Sequence, residues 1–221
     1  MSTVTDGSPP RTYRQQQAQA TKDRIVGAAR VLMAERGWAA TTIDAIAAAA
    51  GVAPQTVYAA FGSKLAIVEG MRHAMLRDSK IPDLMAEAAA EPDFSRRLRL
   101  WAQSIRQQME TSYDVISIHR QAARSNPRFA AAYRTVLDNR ARHFTEFVHH
   151  LRTGLAPSVD ERTATDLLWA LANEELYREL VHERGWPPER YERWLAQTLI
   201  DQLLASPTAP SRTPPKTNPS S

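Results

Sequence analysis

Apolar residues recur at helical spacing along most of the chain, in stripes whose members lie three or four residues apart. The first predicted helix covers residues 21–36, and later stripes cover residues 94–109 and 129–151. No stretch alternates between apolar and polar residues for long enough to predict a strand. The pattern therefore predicts an all-α fold.

Prolines divide the second half of the chain into helix-length pieces, because proline removes a backbone donor and interrupts a helix. The dividing prolines are Pro82, Pro92, Pro127, Pro157, Pro187 and Pro188. After the stripe at 94–109 the pattern predicts a shorter helix at 113–125, and the last prolines leave two final helices at 160–184 and 188–205. Together with the earlier stripes, this division predicts about nine helices.

Residues 41–64 predict two short helices joined by a tight turn. Thr42 is placed to cap the first helix, and Gly51 to end it, because glycine adopts the left-handed conformation easily. Pro54 fits the first turn of the second helix, where no backbone N–H is needed. Helical spacing turns Val57 and Phe61 inward. The polar side chains left on the outer face are Gln55, Thr56 and Tyr58.

This arrangement is typical of a helix-turn-helix, whose second helix enters the major groove of DNA. The alternative is an αα-hairpin that only packs against its neighbours. Charge favours DNA, because residues 1–80 contain 10 Lys and Arg against 6 Asp and Glu, whereas residues 81–221 contain 18 of each. No acidic residue lies between Asp44 and Glu69. This absence suits a surface that approaches phosphates.

The same stretch resembles the N-terminal domain of the TetR family of transcriptional regulators, from about Arg24 to Val68. The matching residues are Arg24, Ile25, Ala28, Ala29, Glu35, Arg36, Gly37, Trp38, Thr42, Ile46, Ala47, Ala50, Gly51, Val52, Thr56, Val57, Tyr58, Phe61, Ser63, Lys64 and Ile67. The sequence departs from the family at Ala53, where a capping serine is usual. It departs again at Ala59 and Ala60, where larger polar residues often contact DNA.

The resemblance implies an N-terminal three-helix DNA-binding domain followed by a C-terminal helical domain for effector binding and dimerisation. We place the DNA-binding domain at residues 21–62 and the second domain at 63–205, with a connecting helix at 63–79. Residues 1–20 are predicted to be a disordered basic arm, and residues 206–221, rich in Pro, Ser and Thr, a disordered tail. Arg11 and Arg14 would let the arm reach DNA, a solvated tail being the alternative.

Six residues are expected to contact a double-stranded DNA operator. Gln55 is expected to read a base edge, for which adenine is the best bidentate partner, and Thr56 to meet a thymine methyl or a phosphate. Phosphate contacts that fix the register are expected from Thr42, Tyr58, Lys64 and Arg24. For Arg24 a solvated position is the alternative.

The resemblance also implies a homodimer, formed through the helices at 160–184 and 188–205, and a pocket for a small-molecule effector. The candidate lining residues are Trp101, Ile105, Met109, Ile116, His119, Phe144, Trp169 and Asn173. Aromatic residues at helical spacing also fit an ordinary core. For His119, with Arg120 beside it, a structural pair is the alternative.

Other chemistry is weakly represented. The chain has no cysteine, which excludes disulfides and thiolate zinc sites and fits a cytoplasmic protein. It has no recognisable nucleophile motif, phosphate-binding glycine motif, membrane span or signal peptide, so we predict neither an enzyme nor a cofactor. His143, Glu146 and His150 share a helix face and could hold a metal, but a solvated face is favoured and no metal is predicted.

The sequence thus predicts a dimeric transcriptional regulator, in the form of a repressor that an effector releases from a near-palindromic operator. One alternative is a DNA-binding protein that responds to a protein partner and takes no small ligand. Another is a helical enzyme that retains a DNA-binding domain, which would require turnover.

Overall fold

A computed structural model describes residues 12–77 and 79–205. The predicted tail, residues 206–221, and the first eleven residues of the predicted arm lie outside the described part. Within it, the helices are α1 (Tyr13–Ala40), α2 (Ile43–Ala50), α3 (Pro54–Phe61), α4 (Lys64–Arg77), α5 (Ile81–Ala90), α6 (Phe94–Ser125), α7 (Pro127–His149), α8 (Glu161–Leu171), α9 (Glu174–Tyr177) and α10 (Pro188–Leu203), with a π-helix at Arg178–Glu183 between α9 and α10.

The all-α prediction is confirmed. Among the described residues the β structure amounts to one isolated bridge between Leu155 and Leu204. None of the described helices is long and apolar enough to cross a membrane.

Helix α1 begins earlier than predicted. Thr12 and Gln15 form a capping box, in which the Thr12 hydroxyl accepts from the Gln15 backbone N–H and the Gln15 side chain accepts from the Thr12 N–H. Residues 13–20 are therefore helical where an arm was expected. Helical geometry is lost at Gly37, whose φ is 80°, one residue after the predicted end of the first helix.

Two predictions of helix limits in the second half are wrong. The piece at 113–125 is not separate, because α6 runs without a break from Phe94 to Ser125. The piece at 160–184 is not a single helix, because α8 ends at Leu171 and Asn173 starts a new one. The Asn173 side chain accepts from the Leu176 N–H at 2.8 Å, and a π-helix follows.

The chain divides into two compact units. The N-terminal unit contains the described residues up to Ser79 together with residues 111–137, and the C-terminal unit contains residues 80–110 and the described residues from Asp138. The chain passes between the units at 79/80, 110/111 and 137/138, and the last two crossings lie inside α6 and α7. The domain limits at 20/21, 62/63 and 205/206 stay predictions.

Each unit has its own apolar core. In the N-terminal unit the second half of α6 and the first half of α7 share one apolar core with the first four helices. The core side chains that these two segments supply are Val115, Ile118, Ala122 and Phe129. In the C-terminal unit Trp101 lies edge-on to Phe144 at 5.3 Å and stacks on Phe147 at 5.8 Å, measured between ring centroids.

Candidate nucleic-acid interface

The turn between α2 and α3 is fixed by local hydrogen bonds. The Thr42 hydroxyl accepts from the Ala45 N–H at 3.2 Å and caps α2. Gly51 is left-handed, with φ 64° and ψ 40°, and the following Val52 N–H donates to the Ala47 carbonyl at 3.0 Å. These bonds satisfy the last turn of α2 and direct the chain into α3.

Helix α3 begins at Pro54 and has no side-chain cap, because Ala53 occupies the N-cap position. Val57 is fully buried, whereas Tyr58 is 55% exposed. Gln55 and Ala59 are exposed, and Thr56 is half-buried. The predicted division of α3 into an inner apolar face and an outer polar face is confirmed, while DNA contact by these residues stays a prediction.

The position of α3 on α4 depends on a glycine. A Cβ atom at Gly70 would lie 2.9 Å from Cε1 of Phe61 and 3.2 Å from Cγ2 of Val26. Hydrogen at this position therefore lets the half-buried Phe61 ring of α3 rest directly on the α4 backbone. The sequence alone does not mark Gly70, because a glycine inside a helix indicates close packing only when its neighbours in space are known.

Lys64 is held by backbone carbonyl groups. Its ammonium nitrogen donates to the Trp38 carbonyl at 2.8 Å and to the Thr41 carbonyl at 2.7 Å. The same nitrogen lies 4.2 Å from the centre of the Trp38 ring. Partial burial lowers the pKa of Lys64 from its ordinary value. Lys64 therefore joins the start of α4 to the last turn of α1 and to Thr41, which follows it, a role that its predicted phosphate contact did not include.

The remaining predicted DNA contacts lie at exposed positions. Thr42 is exposed at the start of α2, and Arg24 is exposed on α1, 3.5 Å from the Thr21 hydroxyl. Ser63 caps α4, since its hydroxyl accepts from the Ala66 N–H at 3.2 Å. The first buried side chain of α1 is Ile25, so the turns of α1 before it, including Arg14, lie outside the core.

The second half of α6 contacts α1 through polar groups that the sequence does not predict. Arg30 makes a two-point ion pair with Asp114, at 2.6 and 2.8 Å, and donates to the Thr111 carbonyl at 2.7 Å. The hydrogen bonds to Asp114 raise the pKa of Arg30 above its ordinary value. The Gln121 side chain accepts from the Trp38 N–H at 3.2 Å.

His119 is buried between α4 and α7. Its Nε2 atom lies 3.2 Å from the Val68 carbonyl oxygen in the middle of α4. Its ring centroid is 5.1 Å from that of Phe129. A carbonyl oxygen only accepts, so Nε2 carries a proton and donates. Burial lowers the pKa of His119, and Arg72 adds to this effect, although Glu69 and the bond to Val68 oppose it.

The eight candidate effector residues do not fall into one unit. Ile116 and His119 belong to the N-terminal unit, and the other six belong to the C-terminal unit. Of those six, the buried ones are Trp101, Ile105, Met109 and Phe144. Trp169 is 36% exposed, and the Asn173 side chain is occupied as a helix cap.

Arg140, which was not among the predicted site residues, lies among these aromatic residues. The Arg140 guanidinium is 5.1 Å from the Phe144 ring centre and 5.0 Å from that of Trp169, and it donates to the Ala172 carbonyl. Arg140 thus provides a hydrogen-bond donor to the carbonyl of the C-cap residue of α8. Nothing in its local sequence distinguishes it from the neighbouring arginines of α7.

The alternative metal site is not formed. His143, Glu146 and His150 are all exposed, and the described residues contain no group of three His, Cys, Asp or Glu side chains that could hold a metal ion.

The helix-turn-helix segment matches a known protein family. Residues 25–71 match the family described as bacterial regulatory proteins, tetR family. The chain is a TetR-family transcriptional regulator. The matched segment begins at the first buried residue of α1 and ends at Met71 on α4, so it includes the whole helix-turn-helix.

A curated relative supports this assignment along the chain. The HTH-type transcriptional regulator AlkX of Mycobacterium tuberculosis is 28% identical over 171 residues, which are 66% of this chain and 81% of AlkX. The similarity to AlkX therefore extends well beyond the segment that the family model matches. Proteins of this family bind DNA in transcriptional regulation. The family assignment therefore does not support the alternative of a helical enzyme.

Two solved structures share the TetR-type fold. NalD of Pseudomonas aeruginosa, the secondary repressor of the MexAB-OprM multidrug efflux pump, has a TM-score of 0.63 at 22% identity and covers 86% of this chain and 98% of its own. The regulator FadR of Bacillus subtilis, solved with stearoyl-CoA, has a TM-score of 0.66 at 17% identity and covers 80% of this chain and 97% of its own.

Proposed function

We propose that this TetR-family regulator is a cytoplasmic homodimeric repressor, which binds a near-palindromic operator and leaves it when a small-molecule effector binds. The observation that carries the proposal is the outer face of α3. It presents Gln55 and Tyr58 to solvent while Val57 is fully buried, which is the form of a helix that reads a major groove.

Two proteins of similar fold support repression and effector binding as parts of the proposal. NalD is a repressor, and FadR of Bacillus subtilis was solved with a bound acyl-CoA. A homodimer through residues 160–184 and 188–205 would give two α3 helices related by two-fold symmetry. Symmetric binding to successive major grooves then requires two similar half-sites about one helical turn apart.

Release by an effector requires two states of the dimer with different affinities for DNA. The effector shifts the balance only as far as its own affinities for the two states differ. We expect movement of α4 to change the separation of the two α3 helices. Helices α6 and α7 provide further covalent routes, since each runs from one compact unit into the other.

The proposal is tested by measuring binding of the full chain to its selected operator and to random duplex by fluorescence anisotropy. Gln55→Ala should cost about 1–3 kcal/mol of affinity, at one base position of each half-site. Tyr58→Ala should weaken binding to operator and random DNA alike, because a phosphate contact carries no sequence information.

The outcome that contradicts the proposal is full operator affinity in both variants. Dimerisation has its own readout, since sedimentation should give twice the chain mass of 24.7 kDa. An effector should lower operator affinity without changing that mass.

A further inference from the structure

The outer face of α3 is nearly uncharged. The helix consists of Pro-Gln-Thr-Val-Tyr-Ala-Ala-Phe and contains no Lys, Arg, Asp or Glu. The surrounding sequence is equally neutral, because Asp44 is the one charged residue between positions 37 and 63. The groups that α3 offers to a groove are therefore one amide, two hydroxyls and small methyl groups.

These groups distinguish between base pairs. Guanine is read most often by Arg or Lys, which donate to O6 and N7, and cytosine by a carboxylate that accepts from N4. Helix α3 has none of these side chains. An amide such as that of Gln55 both donates and accepts, which matches N7 and N6 of adenine. On guanine both O6 and N7 accept, so an amide that pairs with both atoms would place its carbonyl oxygen against an acceptor.

Ala59 provides the complementary contact for thymine. It is exposed and lies four residues after Gln55, so both side chains share one face of the helix. Four residues rise about 6 Å along a helix axis, close to two base steps of about 3.4 Å each. The methyl group of Ala59 can therefore meet a thymine methyl about two steps from the base that Gln55 reads.

We propose that α3 reads A·T pairs in each operator half-site, with adenine at the position under Gln55 and a thymine methyl under Ala59. This inference rests on the proposed function, since it names the bases that the proposed DNA-reading face selects. The departure from the family at Ala59, where a larger polar side chain is usual, becomes the source of thymine preference.

The experiment begins with selection from a pool of randomised duplexes, using the full chain. The enriched half-site should contain A·T pairs at the two positions whose major-groove edges the bound protein protects. Two base analogues then test the contacts without altering the protein. Deoxyuridine in place of thymidine removes the C5 methyl group, and 7-deaza-deoxyadenosine in place of deoxyadenosine removes N7.

We expect 7-deaza-deoxyadenosine at the Gln55 position to weaken binding about tenfold, and deoxyuridine at the Ala59 position to weaken it about threefold. In Gln55→Ala the 7-deaza effect should disappear, while the deoxyuridine effect should remain. Asn139→Ala, which removes an exposed side-chain amide from α7, is the matched control and should keep both effects.

The possible failures are distinct. A palindrome with G·C pairs at both positions, or full affinity for both analogue duplexes, overturns the A·T assignment and leaves the proposed function intact. A chain that enriches no sequence overturns the proposed function and this assignment with it.

Discussion

The ammonium nitrogen of Lys64 lies 2.7 Å from the carbonyl oxygen of Thr41, which precedes α2. The same nitrogen donates a second bond to the Trp38 carbonyl in the last turn of α1. Lys64 therefore links the end of α1 to the start of α4. A lysine at this place was expected to contact phosphate. Two of its three donors already have acceptors within the chain, so its first effect should be on stability.

We predict that Lys64→Met lowers the free energy of unfolding by about 1 kcal/mol, because two carbonyl groups lose a charged donor. Urea unfolding measures the change. Lys22→Met, which removes an exposed lysine from α1, should alter stability by less than about 0.5 kcal/mol. Lys64→Met could instead keep its stability and reduce the slope of log K for DNA binding against log salt by about 0.9 for each phosphate that Lys64 neutralises. That result would show that Lys64 acts mainly as a phosphate contact.

We predict that Gly70→Ala disturbs the packing of α3 against α4. The new methyl group would meet the Phe61 ring, and overpacking of this kind costs about 1–3 kcal/mol. Removing a glycine from a helix returns about 1 kcal/mol, so the expected net loss of stability is about 1 kcal/mol. Operator affinity should fall as well, because Phe61 belongs to α3.

The matched control for Gly70→Ala is Gly27→Ala in α1, where no atom lies within 4 Å of the added Cβ. Without a clash, this variant should gain up to about 1 kcal/mol of stability and keep its operator affinity. Equal gains at both positions would mean that Phe61 does not need the hydrogen of Gly70.

Stability should depend on pH through His119. Its pKa is lower in the folded state than the ordinary 6.5, because it is buried. The unfolded chain therefore binds the proton first as pH falls, and the free energy of unfolding should decline from about pH 6.5 down to the folded pKa. Above pH 6.5 both states hold a neutral ring, and this contribution is constant.

His119→Gln keeps a donor for the Val68 carbonyl but does not titrate, so it should remove this part of the acid decline. Urea unfolding at pH 8, 7, 6 and 5 provides the comparison. His73→Gln, at an exposed position of α4, should retain the decline. A decline of the same size in His119→Gln and in the unmodified chain would show that other groups cause it.

DNA binding should depend on salt chiefly through residues outside the helix-turn-helix. We predict that Arg24→Ala reduces the slope of log K against log salt by about 0.9 for each phosphate that Arg24 neutralises. Tyr58→Phe should weaken binding at every salt concentration with the slope unchanged, because a hydroxyl releases no counterion. Arg99→Ala, at an exposed position of α6 in the C-terminal unit, is the control, and a reduced slope in that variant would contradict the assignment of Arg24.

Features that depend on near neighbours in the sequence could be predicted. The caps at Thr42 and Ser63, the left-handed Gly51 and the start of α3 at Pro54 each involve residues within four positions of one another. The same kind of signal was present and missed at Thr12, which forms a capping box with Gln15. It was also missed at Asn173, where an asparagine precedes two glutamates that favour a first helical turn.

Long-range contacts left no such signal. Asp114 is 84 residues from its partner Arg30, and Gln121 is 83 residues from Trp38. The wrong prediction of two helices where the structure has α6 alone has a related cause. Ser112 interrupts the apolar stripe in the sequence but is buried in the structure, between Met109 and Val115. Tertiary packing thus continues the helix across a position where local hydrophobicity falls.

The N-terminal unit is made of two separate stretches of sequence, and this affects the order in which it can be completed. During synthesis, residues 12–77 are made before Val115, Ile118, Ala122 and Phe129 have been added to the chain. The apolar sides of α1 and α4 stay uncovered for that interval. A fragment that stops at residue 79 would keep every residue of the reading helix and still lack the side chains that close its core.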